Sequence, residues 1–179
     1  MKKILFCNYL IVSIFSYSCA QEQKGTTAKY EVFSFEREVT LPGTPEIIYD
    51  AVTGDISGWW DHHFSENPIA FYIEPVPGGG FWEMFDEEGN GVLHATVIYA
   101  DRGKMLRFDG PLGLSGKAIK VVTTYTFTPA GDSLTLFKVS VHASGEVEEG
   151  VPALVEGVWE HFIFEQLEPY IIAGKHLQK

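Results

Sequence analysis

Hydrophobic positions along this chain fall into two regimes. Between about residues 70 and 147 apolar side chains recur at every second position, and from Gly150 onward at every third and fourth. The alternating part predicts strands over residues 71–74, 80–86, 92–100, 105–109, 119–128 and 134–147. Turn chemistry separates them, as at Pro77-Gly78-Gly79, Gly89-Asn90-Gly91, Arg102-Gly103 and Pro129-Ala130-Gly131-Asp132. An earlier alternating stretch, residues 30–41, ends at Pro42-Gly43 and brings the expected sheet to about seven strands.

Two helical regions frame this meander. Thr44 suits a helix cap and Pro45 a first helical position, before the run Ile47, Ile48, Tyr49, Ala51 and Val52 that Gly54 stops. A second short turn over residues 56–60 makes a helical pair. Past Gly150, Val151, Leu154, Val155, Val158, Trp159 and Phe162 share one helical face, and the stripe drifts toward Ile163, Leu167, Tyr170 and Ile171. Gly174 reads as the stop, and Pro169 predicts a kink or an early end. So broad and bulky a stripe needs a concave partner, which a curved antiparallel sheet supplies.

The first residues carry a different signal. Lys2 and Lys3 precede an apolar run over residues 4–15 and a small-residue zone over 16–20, the layout of an export signal too short to span a membrane. Ordinary cleavage after Ala20 competes with lipoprotein processing at Cys19. The lipoprotein reading is favoured by Ser16-Tyr17-Ser18-Cys19, although Ser16 replaces the usual aliphatic residue. The chain therefore divides into a signal (1–19), a polar tether (20–30) and one domain (31–176). With 45% hydrophobic and 14% aromatic residues in 179, it buries one substantial core and not two. Cys7 falls in the apolar run, so only Cys19 survives processing; a disulfide, a thiolate metal site and a cysteine nucleophile are all excluded from the domain. A net charge of -11 speaks against nucleic acid as a partner.

The order of motifs resembles the START-like, or SRPBCC, superfamily. The residues that carry the likeness are the stretch from Thr44 to Thr53, Trp59-Trp60, Pro77-Gly78-Gly79-Gly80-Phe81-Trp82-Glu83, the stretch from Gly91 to Phe108, Thr124-Tyr125-Thr126-Phe127-Thr128-Pro129 and Trp159. They are most similar to the AHSA-like branch, named for a cochaperone that activates a chaperone ATPase. The resemblance runs from about Phe33 to Gly174. It implies an α+β helix-grip (Bet v-like) fold, a curved antiparallel sheet around a long C-terminal helix with a hydrophobic cavity between them.

Alternation and helix facing nominate Trp59, Trp60, Phe81 or Trp82, Phe85, Tyr125, Phe127, Trp159 and Phe162 for the walls of that cavity, each of which also suits plain core packing. The segment Gly110-Pro111-Leu112-Gly113-Leu114-Ser115-Gly116 reads equally as a flap over the cavity mouth and as a flexible surface loop. His94 alternates with Val92, Thr96 and Ile98 and faces inward on that count, as a polar handle, a general acid or base, or a satisfied sheet histidine. In Asp61-His62-His63 consecutive side chains are expected to diverge, and His161 and Glu165, one helical turn apart, are expected to pair at the surface. No HExxH spacing, nucleophile elbow, P-loop or dinucleotide fingerprint occurs, so neither a metal nor a nucleotide cofactor is expected.

Three functions follow. The first is an exported carrier or sensor of a small hydrophobic or amphipathic ligand, held at the membrane if Cys19 is lipidated. The second is a cyclase or hydratase-type enzyme moving a proton with His94, Glu83 or Asp61. The third, a chaperone cofactor, is disfavoured by export.

Overall fold

The computed structural model describes residues 29–178. The signal, Cys19 and the tether up to residue 28 lie outside the described residues. Strand β1 (Tyr30–Pro42) leads through helix α1 (Pro45–Ala51) into a meander of β2 (Gly54–Asp55), β3 (Ala70–Ile73), β4 (Gly80–Met84), β5 (Gly91–Asp101), β6 (Met105–Asp109), β7 (Ile119–Pro129) and β8 (Leu134–Glu146). All pairings are antiparallel, in the order β1-β8-β7-β6-β5-β4-β3-β2. The sheet thus has eight strands, one more than alternation predicts. The addition is β2, whose two residues pair with Tyr72 and Ile73 and are too few to show a period.

The expected helical pair reduces to one helix. Thr44 caps α1, its Oγ1 accepting from the Ile47 N–H, and Pro45 takes the first helical position. Residues 56–60 close only one turn, in which the Ile56 carbonyl accepts from both Trp59 and Trp60. Asp55 has already captured the Ser57 N–H at 2.9 Å in a side-chain turn that competes with helix. The strand expected over 80–86 likewise stops at Met84, where the carboxylate of Asp86 accepts from the Glu88 and Asn90 N–H groups and folds a turn.

Two irregularities bend the sheet. In the β4–β5 ladder Phe81 faces Ala95 while Trp82 faces Leu93, leaving His94 as an extra residue; in the β5–β6 ladder Val97 and Tyr99 face Phe108 and Arg107, leaving Ile98 over. Such bulges kink the strand and sharpen its twist. The concave side holds the core, an unbroken run of aromatic contacts from Tyr49 through Phe127, Phe137, Tyr125 and Phe108 to Phe81 and Phe71.

Into that hollow the C-terminal helix lies as α2 (Val151–Glu160), a π-helical stretch (His161–Leu167) and α3 (Glu168–Ile172). Pro169 does not end it. The ladder has already slipped by one residue in the π stretch, where the Glu168 N–H bonds to the Ile163 carbonyl, and the rod runs on to Ile172. Gly174, at φ +66°, ends it as expected, and a separate turn follows. The two ends pack differently. Phe162, Ile163, Leu167, Tyr170 and Ile171 are buried, whereas in α2 only Trp159 is. The first turns stand off the sheet, fixed to β1 by Arg37, which forms ion pairs with Glu156 and Glu160.

Tyr125 lies at the centre of this packing with a hydroxyl that has no hydrogen-bond partner among the described residues. An unsatisfied buried hydroxyl opposes folding while the ring favours it. Tyr125→Phe is therefore expected to hold or raise stability by up to about 1 kcal/mol, and Tyr125→Ala to lower it by about 3–5 kcal/mol, read from urea unfolding midpoints.

Candidate functional site

Where α2 stands off the sheet it leaves a cavity of about 320 Å³. Its walls come from four places: Trp60 at the end of the 56–60 turn with His62, His63 and Phe64 just after it; His94 of β5 and Val121 of β7; Pro111 to Leu114; and Leu154, Val155, Val158, Trp159 and Phe162 on the helix. The lining is mainly apolar, and three imidazoles supply most of its polarity. Leu154 is 64% exposed and marks the rim.

Of the aromatic residues nominated from sequence, Trp60, Trp159 and Phe162 reach this cavity, and His94 joins them. Trp59, Phe81, Tyr125 and Phe127 are buried in the core behind it. Phe85 sits in the turn after β4, half-buried, its N–H bonded to the Asn90 carbonyl. Alternation finds which residues point inward but not how far the opposing helix stands from each. Of the stripe read as gripping the sheet, Val155 and Val158 pack against the core and also line the cavity, while Leu154 stands at its exposed rim. His62, His63 and Phe64 were missed because a loop has no period. Their one signal is position, directly after the Trp59-Trp60 pair.

Trp60 joins loop, sheet and helix. Its ring stacks on Phe162 at 3.9 Å with 26° between planes, and meets Phe81 and Trp159 edge-on at 5.1 and 5.8 Å. Its indole N–H donates to the His62 carbonyl at 3.1 Å, so the loop leaves the stack in a fixed direction.

Glu83 supplies the second anchor. Its carboxylate is fully buried on β4 and accepts from the backbone N–H groups of Phe64 (2.8 Å) and Ser65 (2.7 Å) and from His94 Nε2 (3.0 Å). Burial pushes the Glu83 pKa up, but these donors outweigh it and hold the group below its ordinary value. For His94 burial dominates and lowers the pKa, against the opposing pull of Glu83 and the Leu112 backbone. Near neutral pH the pair is a neutral imidazole oriented by a carboxylate on the cavity wall.

His94 does face inward, though for a different reason from the one the sequence suggested. Alternation aligns it with Thr96 and Ile98, yet Ile98 is exposed while Ala95 and Val97 are buried. As the bulge residue, His94 shares the inner face with its neighbour Ala95, and the strand changes parity beyond it. The bulge also accounts for Gly110. A Cβ there would lie 2.3 Å from the Ala95 Cα and 2.4 Å from the His94 carbonyl oxygen, so only glycine lets β6 end against the bulge. The chain then turns into Pro111 to Leu114, whose Leu112 has φ +51° and packs with Leu114 against the core.

A second polar group sits at the rim. Asp61 and His62 were expected to diverge, but Asp61 Oδ1 lies 2.8 Å from His62 Nδ1, and Asp61 Oδ2 lies 2.7 Å from His161 Nε2. The fixed exit of the loop from the Trp60 stack turns both toward the helix. His161 pairs with Glu165 at 2.9 Å as expected. Asp61 and then Glu165 raise the His161 pKa above its ordinary value.

These opposite shifts set opposite pH dependences. His94 refuses a proton that the unfolded chain accepts below about pH 6.5, so its contribution falls as pH drops. That of Glu83 is present above the ordinary carboxylate range and is lost as pH falls through its lowered pKa. His161 contributes fully below about pH 6.5 and loses that contribution as pH rises through its raised value. In a proton NMR titration His94 is expected to titrate below the ordinary histidine value and His161 above it, and Glu83→Gln to lower the His94 midpoint further. An unshifted His94 midpoint in that variant would show that Glu83 does not act on the ring.

No family model matches the sequence, and no curated protein matches it. Solved structures do match in shape. A protein from Rhodobacter sphaeroides superimposes with a TM-score of 0.56 at 16% identity, over 83% of this chain and 99% of its own. One from Rhizobium leguminosarum gives 0.55 at 18% identity, over 83% and 99%. A conserved protein of unknown function from Enterococcus faecalis gives 0.56 at 11% identity, over 81% and 77%. At these identities the likeness shows the fold, an antiparallel sheet with a C-terminal helix in the helix-grip arrangement, and nothing finer.

Proposed function

We propose that this protein is an exported START-like domain that binds a small hydrophobic or amphipathic ligand between sheet and C-terminal helix. The observation that carries the reading is the unfilled, mainly apolar space between α2 and the sheet. Well-packed domains close such space, and here it stays open although Leu154, Val155 and Val158 of the helix border it. Leu112 and Leu114 cover one side as a flap hinged at Gly110, and the imidazoles of His62, His63 and His94 offer the ligand a polar end. Assignment to the AHSA-like branch belongs to the same proposal and rests on the order of motifs, as export and lipidation at Cys19 rest on the N-terminal pattern.

Native purification of the full chain with mass spectrometry tests ligand and anchor together. A lipid-modified Cys19 N-terminus and a co-extracted apolar compound are expected. With an anilinonaphthalene probe, Val158→Trp is expected to fill the cavity and weaken binding by at least about tenfold while the variant stays folded by circular dichroism. Unchanged probe affinity, or neither probe nor native ligand bound, would refute the cavity reading.

A second reading, proton-transfer catalysis of the cyclase or hydratase kind, is favoured by one observation: the Glu83–His94 pair lies within hydrogen-bond reach with His94 on the cavity wall. A carboxylate that fixes the tautomer of a neutral imidazole is the arrangement a general base requires. For an apolar ketone held in the cavity in deuterated water, wild type is expected to exchange the proton next to the carbonyl, and His94→Ala to lose about 10²–10⁴-fold in rate. Exchange no faster than in buffer would leave the protein a binder alone.

A further inference from the structure

We propose that Asp61, His62 and His161 form a binding site for one divalent transition-metal ion of the zinc class at the rim of the cavity. This departs from the expectation, drawn from motif spacing, that the chain binds no metal, and it does not depend on what the cavity holds.

Geometry gives the first argument. Asp61 Oδ1 to His62 Nδ1 is 2.8 Å, Asp61 Oδ2 to His161 Nε2 is 2.7 Å, and one ligand atom from each residue lies within 4.8 Å of the others. Zinc holds nitrogen and oxygen ligands at about 2.0–2.2 Å, so donors on a tetrahedron stand about 3.3 Å apart. The two spacings from Asp61 fall about 0.5 Å short of that value, as hydrogen-bonded rather than ion-bridged donors do. Small rotations of side chains that are 42% (Asp61), 52% (His62) and 28% (His161) exposed bring them to it, and the same exposure admits the ion and its water.

Proton inventory gives the second. Both ring nitrogens of His161 face carboxylates, Nδ1 toward Glu165 at 2.9 Å and Nε2 toward Asp61 at 2.7 Å, and the Gln166 amide nitrogen lies 3.3 Å from Nε2. That amide can donate to an Nε2 lone pair, but the nearer Asp61 oxygen still faces it. A neutral imidazole has one N–H, so one of these contacts sets a lone pair against a carboxylate unless a positive charge lies between them. A proton meets that need and leaves two carboxylates around one imidazolium, still a net negative group. A divalent ion between Asp61, His62 and His161 meets it with the larger charge.

The supporting residues give the third. With its N–H toward Glu165, His161 Nδ1 fixes the tautomer that turns the Nε2 lone pair toward Asp61, the carboxylate–histidine–metal relay that orients ligands in metal sites. His161 opens the π-helical stretch, a departure from α geometry often found at functional positions. Asp61 and His62 follow Trp60, whose indole N–H holds the His62 carbonyl, while the His62 ring packs edge-on to Phe162 at 4.8 Å. Phe162 is in turn the stacking partner of Trp60. Both halves of the site, a hundred residues apart in sequence, thus hang from one aromatic stack.

Two imidazoles and one carboxylate suit Zn²⁺ and its late first-row neighbours rather than Ca²⁺ or Mg²⁺, which take oxygen ligands and water. Three protein ligands leave a coordination position for water or for the polar end of a bound molecule, and His62 is part of the cavity wall.

Titration of the untagged full chain with Zn²⁺ by calorimetry, and with Co²⁺ by visible absorption, tests the proposal. One ion per chain is expected, with Co²⁺ bands of four- or five-coordinate intensity and a rise in unfolding temperature on adding Zn²⁺. His62→Ala, at an exposed position that leaves the fold intact, and His161→Ala are each expected to raise Kd by at least about tenfold, and Glu165→Gln by about 10–100-fold. His142→Ala, at an exposed histidine of β8, is expected to leave Kd unchanged. Absence of Zn²⁺ binding, or a loss in His142→Ala equal to that in His161→Ala, would overturn it.

Discussion

A single buried charge organises the functional end of this protein. The Glu83 carboxylate is fully buried, and a buried charge is tolerated only when its lone pairs are satisfied. Its donors are two consecutive backbone N–H groups of the loop after Trp60 and the ring of His94. One group therefore fixes the loop against β4, holds a histidine on the cavity wall and sets the direction from which Asp61 and His62 approach the helix. Taking away the carboxylate would leave those two amides without their acceptor and His94 without its partner.

Around that anchor, the cavity follows from how two rigid elements fail to meet. Bulges at His94 and Ile98 curve the sheet, and Gly110 lets the 111–114 segment start hard against the first of them. The helix is gripped firmly only from Trp159 onward, where Phe162 stacks on Trp60 and the π stretch carries His161 toward Asp61. On either side of Trp159, Glu156 and Glu160 form ion pairs with Arg37 of β1, which tie α2 to the edge strand of the sheet. Aromatic packing on one side and ion pairs on the other keep the space between them open.

Much of this was legible in the residues. Alternation located seven strands, turn chemistry their ends, Thr44-Pro45 the first helix and Gly174 the end of the last. Three aromatic wall residues and His94 were named in advance, and residues 111–114, read equally as a flap or a surface loop, also line the cavity. What alternation mistook has one origin: periodicity reports the side of an element on which a residue lies, not what stands opposite. Phe81, Tyr125 and Phe127 were correctly read as inward and met core; Leu154 was read as the grip and met open space. The bulge at His94 is equally invisible, because an extra residue in a ladder is defined only by its partner strand.

By itself, then, the sequence determined the elements, their order and the concave sheet with a helix in its hollow, because these depend on local propensity and on periods counted along the chain. Only the tertiary structure decided that Asp61 and His62 meet His161, that Glu83 meets His94 and two loop amides, and that a cavity lies under α2. Each is a distance between elements far apart in sequence, fixed by how bulges, an aromatic stack and a buried charge set one rigid body against another.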